Sequence, residues 1–175
     1  MKQNRITGTT GLIENQDLIP KIILNLARKR KQVIYGARSI QAQNRLFARD
    51  TQDYDIFDRN PKKSAKIVQR QLDKAVSFDY FFAKPAEHKG TWKVKGKGND
   101  LKANTKDDVS IVDYTDMPSR VPFIIKNGVR YRILREEIRA KQKAVADKEF
   151  KFRHEKDKND LNRIKGYLEV KRILK

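Results

Sequence analysis

The order in which two hydrophobic periods follow one another limits the fold of this chain more than any other feature. Leu18 to Leu26 carries a helical stripe (Ile22, Ile23, Leu26) with Asp17 near its start, and Arg28 to Lys31 close it, where cations suit the helix dipole. Gln32 to Tyr35 is a short apolar strand ending at Gly36, and Arg38 to Phe47 turns helical again, offering Ile40, Leu46 and Phe47 for burial. Tyr54 to Phe57 is a second strand, after which Asn60-Pro61 opens a helix from Lys62 to about Val76. One strand per helix, with short connections, predicts a sheet covered by helices rather than a bundle or a sandwich.

The second half is richer in strands. Thr91 to Lys95 alternates, Val109 to Tyr114 is apolar, and Val121–Ile125 and Val129–Ile133 flank Asn127-Gly128, a hairpin signal because both residues tolerate positive φ. Helices from about Leu134 to Lys148 and Phe152 to Leu174 finish the chain. Residues 84–105 are the least core-like, and the aromatic group Phe78, Tyr80, Phe81 and Phe82 is assigned to core packing. The expected class is α/β (α+β): a mixed sheet with flanking helices and a C-terminal helical pair, residues 1–133 forming the core and 134–175 a helical segment packed on it.

Charge narrows the partners. The chain holds 41 Lys and Arg against 22 Asp and Glu, a formal charge of +19, so its surface should attract polyanions. It has no cysteine, which removes disulfides, thiolate zinc sites and cysteine nucleophiles, and its two histidines cannot build a histidine-rich metal cluster. No stretch approaches the roughly 18 apolar residues of a membrane span. A cytoplasmic location is expected, with a viral particle as the alternative. Two segments oppose the trend: Asp50–Asp58 and Asp107–Asp116 each hold four aspartates and no Lys or Arg.

Those acidic segments contain the candidate chemistry. Asp53 and Asp55, two apart on a strand, leave it on the same face. Two carboxylates that close repel each other unless a proton or cation intervenes, and oxygen ligands suit Mg²⁺ or Mn²⁺. Asp113 lies in a second apolar strand; were the two strands adjacent, three aspartates would converge and could hold two ions about 4 Å apart. An isolated Asp-x-Asp is more often a plain strand-end feature. Upstream, however, Tyr35-Gly36-Ala37-Arg38-Ser39 is a strand, a small-residue turn and a helix start, where backbone N–H groups and a hydroxyl can approach a triphosphate.

The turn, the helix, the Arg49-x-Thr51-x-Asp53-x-Asp55 strand and the later apolar-Asp113-apolar strand together resemble the nucleotidyltransferase superfamily, the polymerase-beta-like fold. The likeness is to its minimal members related to abortive-infection toxins and to poxvirus-type poly(A) polymerase catalytic domains. Lys141-Gln142-Lys143-Ala144 and Lys156-Asp157-Lys158-Asn159-Asp160-Leu161 match late patterns of the toxin-like branch, so the resemblance spans about residues 18–168. It implies Mg²⁺- or Mn²⁺-dependent transfer of a nucleoside monophosphate from an NTP to a hydroxyl acceptor, most readily an RNA 3′ end. It also implies that Asp53, Asp55 and Asp113 hold the ions, with Asp113 helping to deprotonate the acceptor. Gly36 and Ser39 would contact the triphosphate and Lys141 would neutralise phosphate charge. Where the toxin-like turn has a second glycine this chain has Ala37, followed by Arg38, whose Cβ-bearing neighbour crowds the phosphates and whose guanidinium is an alternative phosphate contact. An antitoxin or a larger assembly is a partner class on family grounds alone.

Lys93, Lys95 and Lys97, alternating with Trp92, Val94, Gly96 and Gly98, form a candidate nucleic-acid grip, with a solvated sheet edge as the plain alternative. Asp157 and Asp160, i and i+3 on a helix among lysines, are expected in surface ion pairs. The leading function is nucleotidyl transfer. Its alternatives are a non-catalytic nucleic-acid-binding or structural protein on the same fold, and a two-metal phosphodiesterase.

Overall fold

The structure, a computed structural model, describes residues 17–44 and 48–173. Its elements run α1 (Leu18–Lys29), β1 (Val33–Tyr35), α2 (Gly36–Gln43), β2 (Tyr54–Asp58), α3 (Pro61–Val76), β3 (Phe81–Pro85), β4 (Thr91–Gly96), β5 (Val109–Asp116), β6 (Phe123–Lys126), β7 (Val129–Arg132) and α4 (Leu134–Ala146). A 3₁₀ segment, Lys148–Arg153, leads into α5 (His154–Ile173). The expected mixed α/β sheet is present: seven strands in the order β3-β4-β5-β2-β1-β7-β6. Pairing is parallel for β2 with β5 and for β1 with β7, and antiparallel elsewhere.

One strand was not expected. Phe81–Pro85 is β3, the sheet edge, paired antiparallel with β4. Pro85 lacks an amide proton and is confined to an edge, and the aromatic run hid a strand that buries Phe81 and leaves Lys84 part-exposed. Helix α2 also begins two residues early, at Gly36, because glycine's positive φ (+69°) turns the chain from strand into helix in one step. Leu46 and Phe47, expected to be buried, lie outside the described residues.

Strand alternation divides the sheet into two unlike faces. Ile34, Ile56, Val94, Val112 and Tyr114 meet Ile23, Leu26 and Ala27 of α1 and Ala65, Val68 and Leu72 of α3 in one core cluster. Each such buried aliphatic side chain stabilises by about 1.5–3 kcal/mol. Helix α3 is well fixed: Asn60 caps it by accepting from the Lys63 amide at 3.0 Å, and Pro61 occupies its first position. On the opposite face, α4 packs against α2 and against α5. Only the first half of α5 is held there, through buried Asp157, Asp160 and Ile164; Leu168, Val170 and Ile173 beyond them are exposed.

Candidate active site

The second face of the sheet carries the chemistry. Tyr35 of β1 pairs with Asp55 of β2, Asp55 with Asp113 of β5, and Asp113 with Lys93 of β4. Because Ile34, Ile56, Val112 and Val94 point into the core, these four side chains form a row on the other side. Neighbouring strands lie about 4.8 Å apart, so the two aspartates sit side by side. Burial pushes the Asp55 carboxyl up to about 6, and the charges of Asp53 and Asp113 push the same way; Lys156 and Arg153 offset part of it. No described residue donates a hydrogen bond to Asp55. Asp53, just before β2, accepts from the Thr51 hydroxyl at 2.5 Å, and Asp113 is ion-paired with Lys93 at 2.9 Å.

The Gly36 turn closes over this row from the β1 side. A Cβ on Gly36 would stand 2.5 Å from Asp55 Oδ2, so glycine is required both by its φ and by the nearness of that carboxylate. Ala37, whose Cβ was expected to crowd the phosphates, is buried in the fold. Two of the turn's donors are engaged within the protein. The Gly36 amide donates to Glu137 Oε1 at 3.0 Å, and the Ser39 hydroxyl lies 3.1 Å from the same oxygen and 3.1 Å from the Arg132 carbonyl. Glu137, on α4, is 2% exposed. Burial pushes its carboxyl up to about 7, although Arg132, the Gly36 amide, Ser39 and Lys141 all favour the charged form.

The remaining candidates are each engaged with a partner. The Arg38 guanidinium donates to the carbonyls of Gln52 and Asp53 and to Gln41, and lies 4.5 Å from the Tyr54 ring centroid. Lys141 is buried, donating to Asp157 Oδ1 at 2.9 Å and Asp160 Oδ2 at 2.7 Å. Arg153 adds a bond of 2.7 Å to Asp157, and Arg49 lies 3.4 Å from Asp160. The expectation of surface ion pairs for Asp157 and Asp160 is therefore corrected: packing of α5 on α4 makes them the anionic half of a buried charge cluster. Lys93, Lys95 and Lys97 pair with Asp113, Asp108 and Asp79 at 2.9, 3.7 and 3.1 Å.

Glu137 and Arg153 were assigned no part by sequence, and Arg49 and Lys156 entered only as members of motifs, without a role at the site. Glu137 stands in a charged helix start, and its partner Gly36 is 101 positions away; the only available signal was its place four residues before Lys141, on the same helix face.

Among the described residues, no group of three His, Cys, Asp or Glu side chains converges closely enough to hold a metal ion. The donor set nevertheless suits one. Its members are hard carboxylate oxygens, and Asp55 has like charges on two sides and no hydrogen-bond donor, an imbalance that a divalent cation would relieve.

Over 86% of its length the chain is similar to the crystal structure of the Megavirus polyadenylate synthase, with a TM-score of 0.66 and 16% identity. This chain has a nucleotidyltransferase-like fold. It spans 31% of the Megavirus enzyme's length. It is also similar to JHP933 from Helicobacter pylori, over 87% of this chain and 65% of that one, with a TM-score of 0.52 and 14% identity. No protein-family model matches the sequence, and no curated protein is similar to it. No helix among the described residues is long and apolar enough to cross a membrane.

Proposed function

We propose that this chain transfers a nucleoside monophosphate from an NTP to a hydroxyl acceptor, an RNA 3′ end being the acceptor its charge favours. The observation that carries this reading is the register that sets Asp55 beside Asp113 on the face opposite the core, under the Gly36 turn. In the reaction the acceptor oxygen bonds to the α-phosphorus, the bond from that phosphorus to the bridging α,β-oxygen breaks, and pyrophosphate departs. The acceptor proton passes to a carboxylate oxygen of Asp113. Asp53, Asp55 and Asp113 would hold Mg²⁺ or Mn²⁺, which supplies charge neutralisation at the phosphates and lowers the acceptor pKa. Asp55, whose charge is poorly balanced in the isolated protein, is the residue most affected by that cation. Lys93 holds Asp113 at 2.9 Å and is its counter-ion until a metal competes for it. The +19 surface gathers the RNA and the nucleotide around this acidic row.

Purified protein with Mg²⁺ or Mn²⁺, each labelled NTP and an RNA pool should give extended RNA, and Asp55→Asn should reduce the rate by about a thousandfold or more. Absence of transfer to RNA, DNA, protein and small hydroxyl acceptors alike, with Asp55→Asn indistinguishable from wild type, would sink it.

A second reading is non-catalytic nucleic-acid binding on the same fold. The occupied turn favours it, since Glu137 already takes the Gly36 amide and the Ser39 hydroxyl. Salt-dependent RNA binding without Mn²⁺ or NTP binding would select this alternative.

A further inference from the structure

The Gly36 amide, the Ser39 hydroxyl and the cations Arg38, Lys93 and Lys141 are already engaged inside the protein. The Gly36 amide and Ser39 hydroxyl are bound to Glu137, Arg38 to the carbonyls before β2, Lys141 to two aspartates and Lys93 to Asp113. For a phosphate to take the Gly36 amide and the Ser39 hydroxyl, it would have to displace a 2%-exposed glutamate from its two partners.

Next to Asp53 is a cavity of about 500 Å³. Residues 49–53, which include Arg49 and the two carboxylates Asp50 and Asp53, line it with Ser110 at the start of β5 and Lys156 in the first turn of α5. Lys156 is exposed and makes no ion pair or hydrogen bond with any described residue, yet its charge reaches Asp55. It is nonetheless well placed, because the next residue, Asp157, is fixed by Lys141 and Arg153. Arg49 is steadied by Asp160, also bound to Lys141, and its Nε is a buried donor with no hydrogen bond. Both cations of the cavity are therefore mounted on one buried charge cluster, beside a carboxylate of the acidic row. A cavity lined by two cations beside metal-type carboxylates matches a polyphosphate that carries a divalent ion.

Building on the nucleotidyl-transfer reading, we propose that the nucleotide's polyphosphate is received in this cavity by Lys156 and Arg49. The Gly36–Ser39 turn is then a strut, held by Glu137 to keep the backbone against Asp55. Lys141, Asp157 and Asp160 act through the two cations as positioning residues.

Titration calorimetry with inorganic tripolyphosphate and Mg²⁺ tests this without any need for turnover. Lys156→Gln should weaken binding by about tenfold or more, Lys156→Arg should retain it, and Ser39→Ala should change it by less than about threefold. Arg49→Lys, which keeps the charge facing Asp160, should weaken it less than Arg49→Gln. Equal losses at Lys156→Gln and at Lys158→Gln, on the same helix, would reduce the effect to non-specific charge and overturn the proposal. So would failure of the wild type to bind, or a loss at Ser39→Ala as large as at Lys156→Gln. If tripolyphosphate binds as expected while no acceptor is ever modified, the transfer reading fails and the polyphosphate site stands.

Discussion

Strand β2 carries two aspartates, three residues apart and facing opposite ways, that meet opposite electrostatic fates. Asp58 points toward the side of α3 and is 2% exposed. It accepts from Gln32 Nε2 at 2.5 Å, Ser64 Oγ at 3.0 Å and the Asn60 amide at 2.5 Å, and pairs with Arg30 at 3.4 Å. Burial works to raise its carboxyl, but these donors and the guanidinium outweigh burial and hold it below the ordinary carboxylate range. Asp55, on the other face, has like charges for neighbours and is raised to about 6. The sheet keeps one carboxylate as a structural anchor and leaves the other charge-frustrated, and frustration of this kind marks functional rather than structural positions.

The largest effect should come from removing the anchor. Asp58→Ala removes the acceptor shared by Gln32, Ser64, the Asn60 amide and Arg30, leaving Gln32 and Ser64 only each other, and should cost about 3 kcal/mol in urea unfolding. A loss below about 1 kcal/mol would erase the contrast with Asp55. The frustrated partner should behave in the opposite sense. With a folded value near 6 against 3.8 unfolded, the native state holds the extra proton between those two values, so stability falls as pH rises through that window. Asp55→Asn should therefore stabilise the metal-free protein by about 2 kcal/mol at pH 7.5 and by almost nothing at pH 4. A gain that persists at pH 4 would point to packing instead of charge.

A smaller effect is expected at the turn. Gly36→Ala places a methyl group at φ +69° and 2.5 Å from Asp55 Oδ2, and should cost about 1–2 kcal/mol. Pairing it with Asp55→Ala should recover the steric part and leave only the backbone part, as a double-mutant cycle reads directly. Smallest of all is Lys93→Gln. The ion pair with Asp113 leaves the lysine 34% and the aspartate 21% exposed, so its loss should cost less than about 1 kcal/mol and shrink further in salt. A large, salt-independent loss would make Lys93 part of the scaffold.

The sheet and its acidic row were legible because both follow from a period of two. Apolar residues at 34, 56 and 112 fix the core face and thereby place Asp55 and Asp113 on the other. The edge strand Phe81–Pro85 was not legible, since an aromatic run ending in proline lacks the alternation that identifies a strand. Nor was the role of Glu137, Asp157 and Asp160. On a helix in a chain this rich in charge, an acid that will be buried looks the same as one that faces water, and only the docking of α4 and α5 separates them. Lys141, named for phosphate on the resemblance alone, has its ammonium bound to two of these buried aspartates.

The parallel pairing of β2 with β5 also has a kinetic consequence. Asp55 and Asp113 become neighbours only when the chain from one strand to the other has closed as a loop, and Gly36 meets Glu137 only across 101 positions. Such closures are entropically the hardest and belong to the last steps of assembly, after the short β4–β5 and β6–β7 antiparallel pairs. Carboxylate repulsion is thereby excluded from the folding nucleus and felt only in the finished molecule. Relieving it in Asp55→Asn should leave the refolding rate unchanged and slow unfolding, a difference that the two arms of a chevron plot separate.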